Sequence, residues 1–121
     1  MNIFDMLTIK IKLRGSDEPV IAIVTLNFNE QIEIRFAPIM WKQNRTGIFF
    51  SMPSLKDFGY QKCAVVIKED EYKTLTDLVM KQFLETAKDF YHPNEYELIE
   101  KAVSNNALRA EEEVNPDDIP L

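Results

Sequence analysis

Seven consecutive residues, Trp41-Lys42-Gln43-Asn44-Arg45-Thr46-Gly47, place an aromatic ring, two cations and two amides between two apolar runs. The composition suits two tasks. The ring can stack on a base while Lys42 and Arg45 neutralise phosphates, or Trp41 plugs the edge of a core while its polar neighbours solvate a hairpin tip. Lys56 and Lys62 flank the next connection. Lys10, Lys12 and Arg14 form a cationic row along one side of a strand, which either tracks a nucleic-acid backbone or guards a sheet edge against association.

Catalytic chemistry finds few carriers. Zinc needs three or four ligands at close spacing, and the chain has one cysteine, Cys63, and one histidine, His92. His92 precedes Pro93 at the end of a predicted helix, where an imidazole can hold the last free carbonyls. Ser51 and Ser54 lack a Gly-x-Ser-x-Gly context, and three glycines in all cannot build a phosphate-cradling loop. The pairs Asp17/Glu18 and Asp117/Asp118 fall in a turn and a tail as solvated charge. The expectation is a protein that is not an enzyme, with no metal, no cofactor and no small-molecule substrate.

The elements that position these residues follow from periodicity. Leu7 to Leu13 alternates strictly, placing Leu7, Ile9, Ile11 and Leu13 on one face and Thr8, Lys10 and Lys12 on the other. The turn cluster Gly15 to Pro19 leads into a second strand, Val20 to Leu26, apolar on both sides. Ile32, Ile34 and Phe36 alternate with Gln31, Glu33 and Arg35 in a third strand, Ile48 to Met52 forms a fourth and Lys62 to Ile67 a fifth. Short connections predict an antiparallel meander. A helix over roughly 69–91 follows, acidic in its first turn. Tyr72, Leu75, Val79, Phe83, Ala87 and Phe90 line its apolar face; Met80, Leu84 and Tyr91 widen it, so a second helix or a partner subunit must cover the excess. That second helix starts on Asn94 as cap, with Glu97 three residues on, and runs to about Ser104.

Length and charge bound the class. The 121 residues fit one domain, with 45% hydrophobic residues for a core. Residues 1–104 are expected to form a single α+β domain and 105–121 a disordered acidic tail. The net charge of −6 lies entirely in the last thirty residues: residues 1–91 hold 12 Lys/Arg and 12 Asp/Glu, while 92–121 hold two and eight. The body is therefore neutral, and the acidic isoelectric point does not argue against a nucleic-acid partner. No apolar run has the roughly 20 residues of a membrane helix, and Asp5 stands where a signal peptide is basic. Cys63, set among Ala64, Val65 and Val66, is expected to be a buried inert thiol in a reducing cytoplasm.

Ile34-Arg35-Phe36 followed by Gly47-Ile48-Phe49-Phe50-Ser51-Met52-Pro53-Ser54 resembles the stage V sporulation protein G (septation protein) family, whose signature is an Ile-Arg strand, a turn and a Gly-x-Phe-x-x-Met-Pro-Ser strand. The resemblance runs on through Tyr60 to Ile67 and the following helix, over roughly residues 6–84. It implies a small cytoplasmic bacterial homodimer, built on a strongly bent antiparallel sheet and a helix, that binds DNA and RNA to regulate gene expression. The family's basic residues follow Met-Pro-Ser and open the helix; this chain has Leu55-Lys56-Asp57-Phe58 and Glu71, Tyr72 and Thr74 there. Its helix stripe Thr74, Asp77, Lys81, Glu85 and Lys88 alternates in sign, a poor face for a polyanion. The 41–46 loop is longer than the family's usual turn. Nucleic-acid contacts are accordingly expected at Trp41, Lys42, Arg45, Lys56 and Lys62. The alternative is a protein–protein interaction module on the same dimeric fold, working through the apolar helix face and the acidic tail.

Overall fold

The computed structural model describes residues 3–55, 57, 59 and 61–108. The fold is α+β. A 3-10 turn, Ile3–Met6, leads into β1 (Leu7–Leu13), β2 (Val20–Phe28), β3 (Ile32–Trp41) and β4 (Ile48–Phe50), paired in that order as an antiparallel meander. β5 (Ser54–Leu55) and β6 (Gln61–Lys62) make a separate two-stranded ribbon. Then come α1 (Glu69–Phe90) and α2 (Pro93–Leu108).

Alternation decides which face of the sheet is buried. Leu7, Ile9, Ile11 and Leu13 pair with Phe28, Leu26, Val24 and Ala22, and all join the core cluster with Ile39, Ile48 and Phe50. Leu75, Val79, Met80, Phe83 and Ala87 of α1 close it from one side. α2 contributes Ile99 and Ala102, with Tyr96 and Val103 packed on the cluster. The surplus apolar width of α1 at Met80, Leu84 and Tyr91 is thus taken up within the chain. Two tyrosines pin α1 to the sheet: the Tyr72 hydroxyl donates to the Phe50 carbonyl at 3.2 Å, and the Tyr91 hydroxyl donates to the Arg14 carbonyl. β1 is an edge strand, and the Gln82 amide donates to its Ile9 carbonyl at 2.5 Å, blunting that edge.

β3 departs from simple alternation. Val24 pairs with Ala37 and Leu26 with Ile34, so Arg35 and Phe36 both stand opposite Thr25 in a β-bulge. Phe36 has φ of 62° and lies 73% exposed, whereas alternation placed it in the core. The added residue restores the inward phase for Ala37 and Ile39, both fully buried. β3 then runs through Pro38, one residue before its pairing with β4 begins at Ile39. Trp41 is accordingly the last strand residue and not the first of a loop.

Five other expectations are corrected. The predicted strand Lys62–Ile67 keeps only Gln61–Lys62. Beyond it Ala64 and Val66 pack on the core, while Cys63 is exposed, contrary to its reading as a buried thiol. β4 stops at Phe50, although Ser51, Met52 and Pro53 remain buried. The second helix starts two residues earlier than expected, at Pro93, with Glu95 accepting the His92 backbone N–H at 3.2 Å as in a capping box. It continues to Leu108, so 105–108 belong to the domain; the rest of the predicted tail, 109–121, lies outside the described residues.

The left-handed conformation costs a residue bearing a Cβ about 1–2 kcal/mol. Phe36→Gly should therefore raise stability by about 0.5–1 kcal/mol, net of glycine's greater unfolded-state entropy. Urea denaturation measures it, and a loss of stability would contradict the strained-bulge description.

Candidate nucleic-acid interface

The loop after β3 is built by its neighbours. The Lys42 N–H bonds to Gly47 O at 2.8 Å and the Arg45 N–H to Lys42 O at 2.8 Å, closing a tight turn in which Arg45 takes φ of 62°. The Trp41 indole N–H donates to Ser16 O at 2.9 Å, its backbone N–H donates to Pro19 O at 3.0 Å, and its ring packs on the core. The Arg45 guanidinium lies 5.4 Å from the centre of that ring and donates to Asp17 O at 2.7 Å. From α2, the Asn105 amide donates to Thr46 O at 3.1 Å. Ser16 in turn donates to Glu95 at the start of α2.

The β1–β2 turn, the β3–β4 loop and α2 therefore form one hydrogen-bonded corner. Glu95 is held below the usual carboxylate range first by the Ser16 bond and next by the His92 backbone N–H. Trp41 is engaged at its N–H and at one ring face, so the exposed part of the loop is Gln43, Asn44, Arg45 and Thr46, with Lys42 half-buried beside them.

Lys62 stands apart from this group. Its ammonium donates to the Ser51 hydroxyl and, at 3.0 Å, to Met52 O, at the far end of β4 from the loop. Partial burial pushes its pKa down. An amine beside a hydroxyl is the pairing that activates a serine nucleophile, but Ser51 is buried and its own hydroxyl donates to Met52 O at 3.2 Å. The contact works as a clamp on the chain leaving β4. Of the five expected contact residues, Trp41, Lys42 and Arg45 are together, Lys62 is elsewhere, and Lys56 lies outside the described residues.

Other sites are sparse among the described residues. A cleft of about 440 Å³ between β1 and α1 is lined by Leu7, Ile9, Leu78, Lys81 and Glu85, among others. No group of three or more His, Cys, Asp or Glu side chains is placed to hold a metal ion, and no helix is long and apolar enough to cross a membrane. Arg14 of the cationic row is 3.7 Å from Glu18, while Lys10 and Lys12 are exposed.

The residues that sequence reasoning passed over are Arg35 and Phe36. Alternation assigns both to a regular strand, and only the bulge, for which the sequence pattern carries no signal, turns Phe36 out. Compared with known proteins, the chain matches no family model, no curated protein and no solved structure.

The corner also sets an alkaline limit. Burial pushes the Tyr91 phenol up to about 12, with the Glu95 charge adding to the rise, whereas an unfolded tyrosine ionises near 10. The folded form holds the proton longer, so this stabilisation is complete below pH 10 and is lost as pH climbs from about 10 toward 12. Tyr91→Phe should cost about 1 kcal/mol at pH 7 through the lost bond to Arg14 O and should flatten the alkaline decline. Urea denaturation at pH 7 and in steps above pH 10 measures both, and a decline as steep as that of the wild type would contradict the account.

Proposed function

We propose that this protein is a small dimeric nucleic-acid-binding regulator of the septation-protein type, acting in the bacterial cytoplasm without catalysis or cofactor. The observation that carries the proposal is the preformed corner. Arg45 is fixed by Trp41 and the Asp17 carbonyl, and Thr46 is tied to α2, so Lys42, Gln43, Asn44 and Arg45 are offered to a phosphate backbone from a rigid frame. Ordering such a loop in advance lowers the entropy lost on binding, and cations with amides are the groups that contact phosphate and sugar. The neutral body of the chain and the antiparallel meander backed by a helix agree with the resemblance carried by Ile34-Arg35 and Met52-Pro53-Ser54.

The dimer has its own support. Val65 is 63% and Ile67 94% exposed, in a segment with strand-like alternation and no strand partner among the described residues. Covering these side chains with a second copy removes apolar surface from water. The same exposed pair favours the second reading, a protein-binding module on this dimeric fold.

Fluorescence anisotropy of labelled RNA and duplex DNA at two salt concentrations tests the function. Binding should weaken steeply with salt, and Lys42→Glu with Arg45→Glu should reduce it at least tenfold; a wild type that binds neither polymer at low salt leaves the protein-binding reading. Light scattering should return a dimer at micromolar concentration that Val65→Asp with Ile67→Asp dissociates, whereas a wild-type monomer would contradict the dimer.

A further inference from the structure

α1 and α2 cover one face of the sheet, and the opposite face carries a different set of groups. Thr8, Lys10 and Lys12 of β1 are exposed there. Lys10 pairs with Thr25, and Thr25 is the residue opposed by the bulge of Arg35 and Phe36. Lys10, Thr25 and the Arg35–Phe36 pair thus form one row across three strands, spanning about 10 Å at the usual strand spacing. Asn27 and Glu33, paired across β2 and β3, lie one step along the same face.

The charge of this face is positive. Among the described residues its one carboxylate is Glu33, which accepts from Arg35 Nε at 2.5 Å and from the Asn27 amide at 3.1 Å. The Arg35 bond is the first cause of a lowered Glu33 pKa, and Lys10 adds to it through space, which places the Lys10 charge near the same cluster. The Arg35 side chain is still 69% exposed. Among the described residues, Lys10, Lys12 and Arg35 therefore face solvent against a single carboxylate already engaged by two donors.

Phe36 is the second, independent observation. It keeps a Cβ-bearing side chain at positive φ and an aromatic ring in water, two costs that neither core packing nor turn geometry explains. Strained backbone that re-aims a side chain at a bulge is a feature of binding surfaces.

We propose that this open sheet face binds single-stranded nucleic acid, with Phe36 as the stacking platform for an unpaired base and Lys10, Lys12 and Arg35 as phosphate contacts. The occupant is a polyanion because the face is cationic, and single-stranded because a ring standing clear of the sheet needs a base released from its own stack. The proposal rests on the nucleic-acid reading above and names a platform separate from the Trp41–Thr46 corner.

Anisotropy with labelled twelve-residue oligo-dT and oligo-U, and with a duplex of the same length, tests it. Phe36→Ala should weaken single-strand binding about tenfold or more while changing duplex binding little. Lys10→Ala with Lys12→Ala should lower the slope of log affinity against log salt by about 1.4, the share of two single-strand phosphate contacts. Phe36→Gly, which relieves backbone strain, should lose affinity equally, separating the ring's role from stability. Wild-type affinity in all three variants, with binding lost in Lys42→Glu/Arg45→Glu, would overturn the sheet-face proposal and leave nucleic-acid binding at the corner. A wild type that binds none of the three probes would overturn both, and capture of an acidic peptide in place of the oligonucleotides would overturn the choice of partner.

Discussion

Burial of one face of a four-stranded sheet beneath α1 is the constraint from which the architecture follows. Phe83, Val79, Leu75 and Ala87 meet the inward residues of β1, β2 and β3 in one cluster, and the large fully buried side chains supply most of the free energy of folding. Because α1 and α2 both serve that face, the other must live in water. It does so with Thr8, Lys10, Lys12, Glu33 and Arg35, apart from a small satellite cluster in which Ile23 and Phe49 pack on Val20 and Met40. One-sided packing thus creates both the core and an open cationic surface.

Two irregularities turn that plan into specific surfaces. The bulge at Arg35–Phe36 adds a residue to β3, so Ile34 and Ala37 both face inward and the aromatic between them does not. The corner formed by Trp41, Arg45, Ser16, Glu95 and Asn105 then fixes the β1–β2 turn and the β3–β4 loop against α2. Backbone carbonyls of Ser16, Asp17 and Thr46 accept most of these bonds, so the loops are held by partners that no substitution at those acceptor positions removes. The corner is rigid for that reason, and rigidity is what a polar loop needs if it is to engage a partner without a large ordering cost.

Regular periodicity made much of this fold legible in the sequence. β1 alternates without exception, and α1 shows both its acidic first turn and its apolar stripe; each was placed within a residue or two. What escaped is where tertiary contacts override local pattern. Phe36 reads as core until a bulge shifts the phase. Cys63 to Ile67 reads as a strand, yet pairing ends at Lys62 because β5 is two residues long. β3 also runs on through Pro38 to Trp41, past the alternation that ends at Phe36, because the β4 ladder begins at Ile39. Asn94 with Glu97 reads as the cap of the second helix, yet the helix begins at the N1-compatible Pro93, with Glu95 accepting the His92 backbone N–H. At the candidate site Trp41, Lys42 and Arg45 are close in the sequence and in the structure, but the bonds that hold them and Lys62 depend on carbonyls that sequence does not display.

The proposed partner of the face opposite the helices, and of the corner, is a polyanion. Backbone amide NMR of this 14.1 kDa chain titrated with a short single-stranded oligonucleotide tests that claim residue by residue. The account predicts shifts concentrated at Lys10, Lys12, Thr25, Arg35 and Phe36, with a smaller set at Lys42 to Thr46. Shifts confined to α1 and α2, or none at saturating oligonucleotide and low salt, would contradict it.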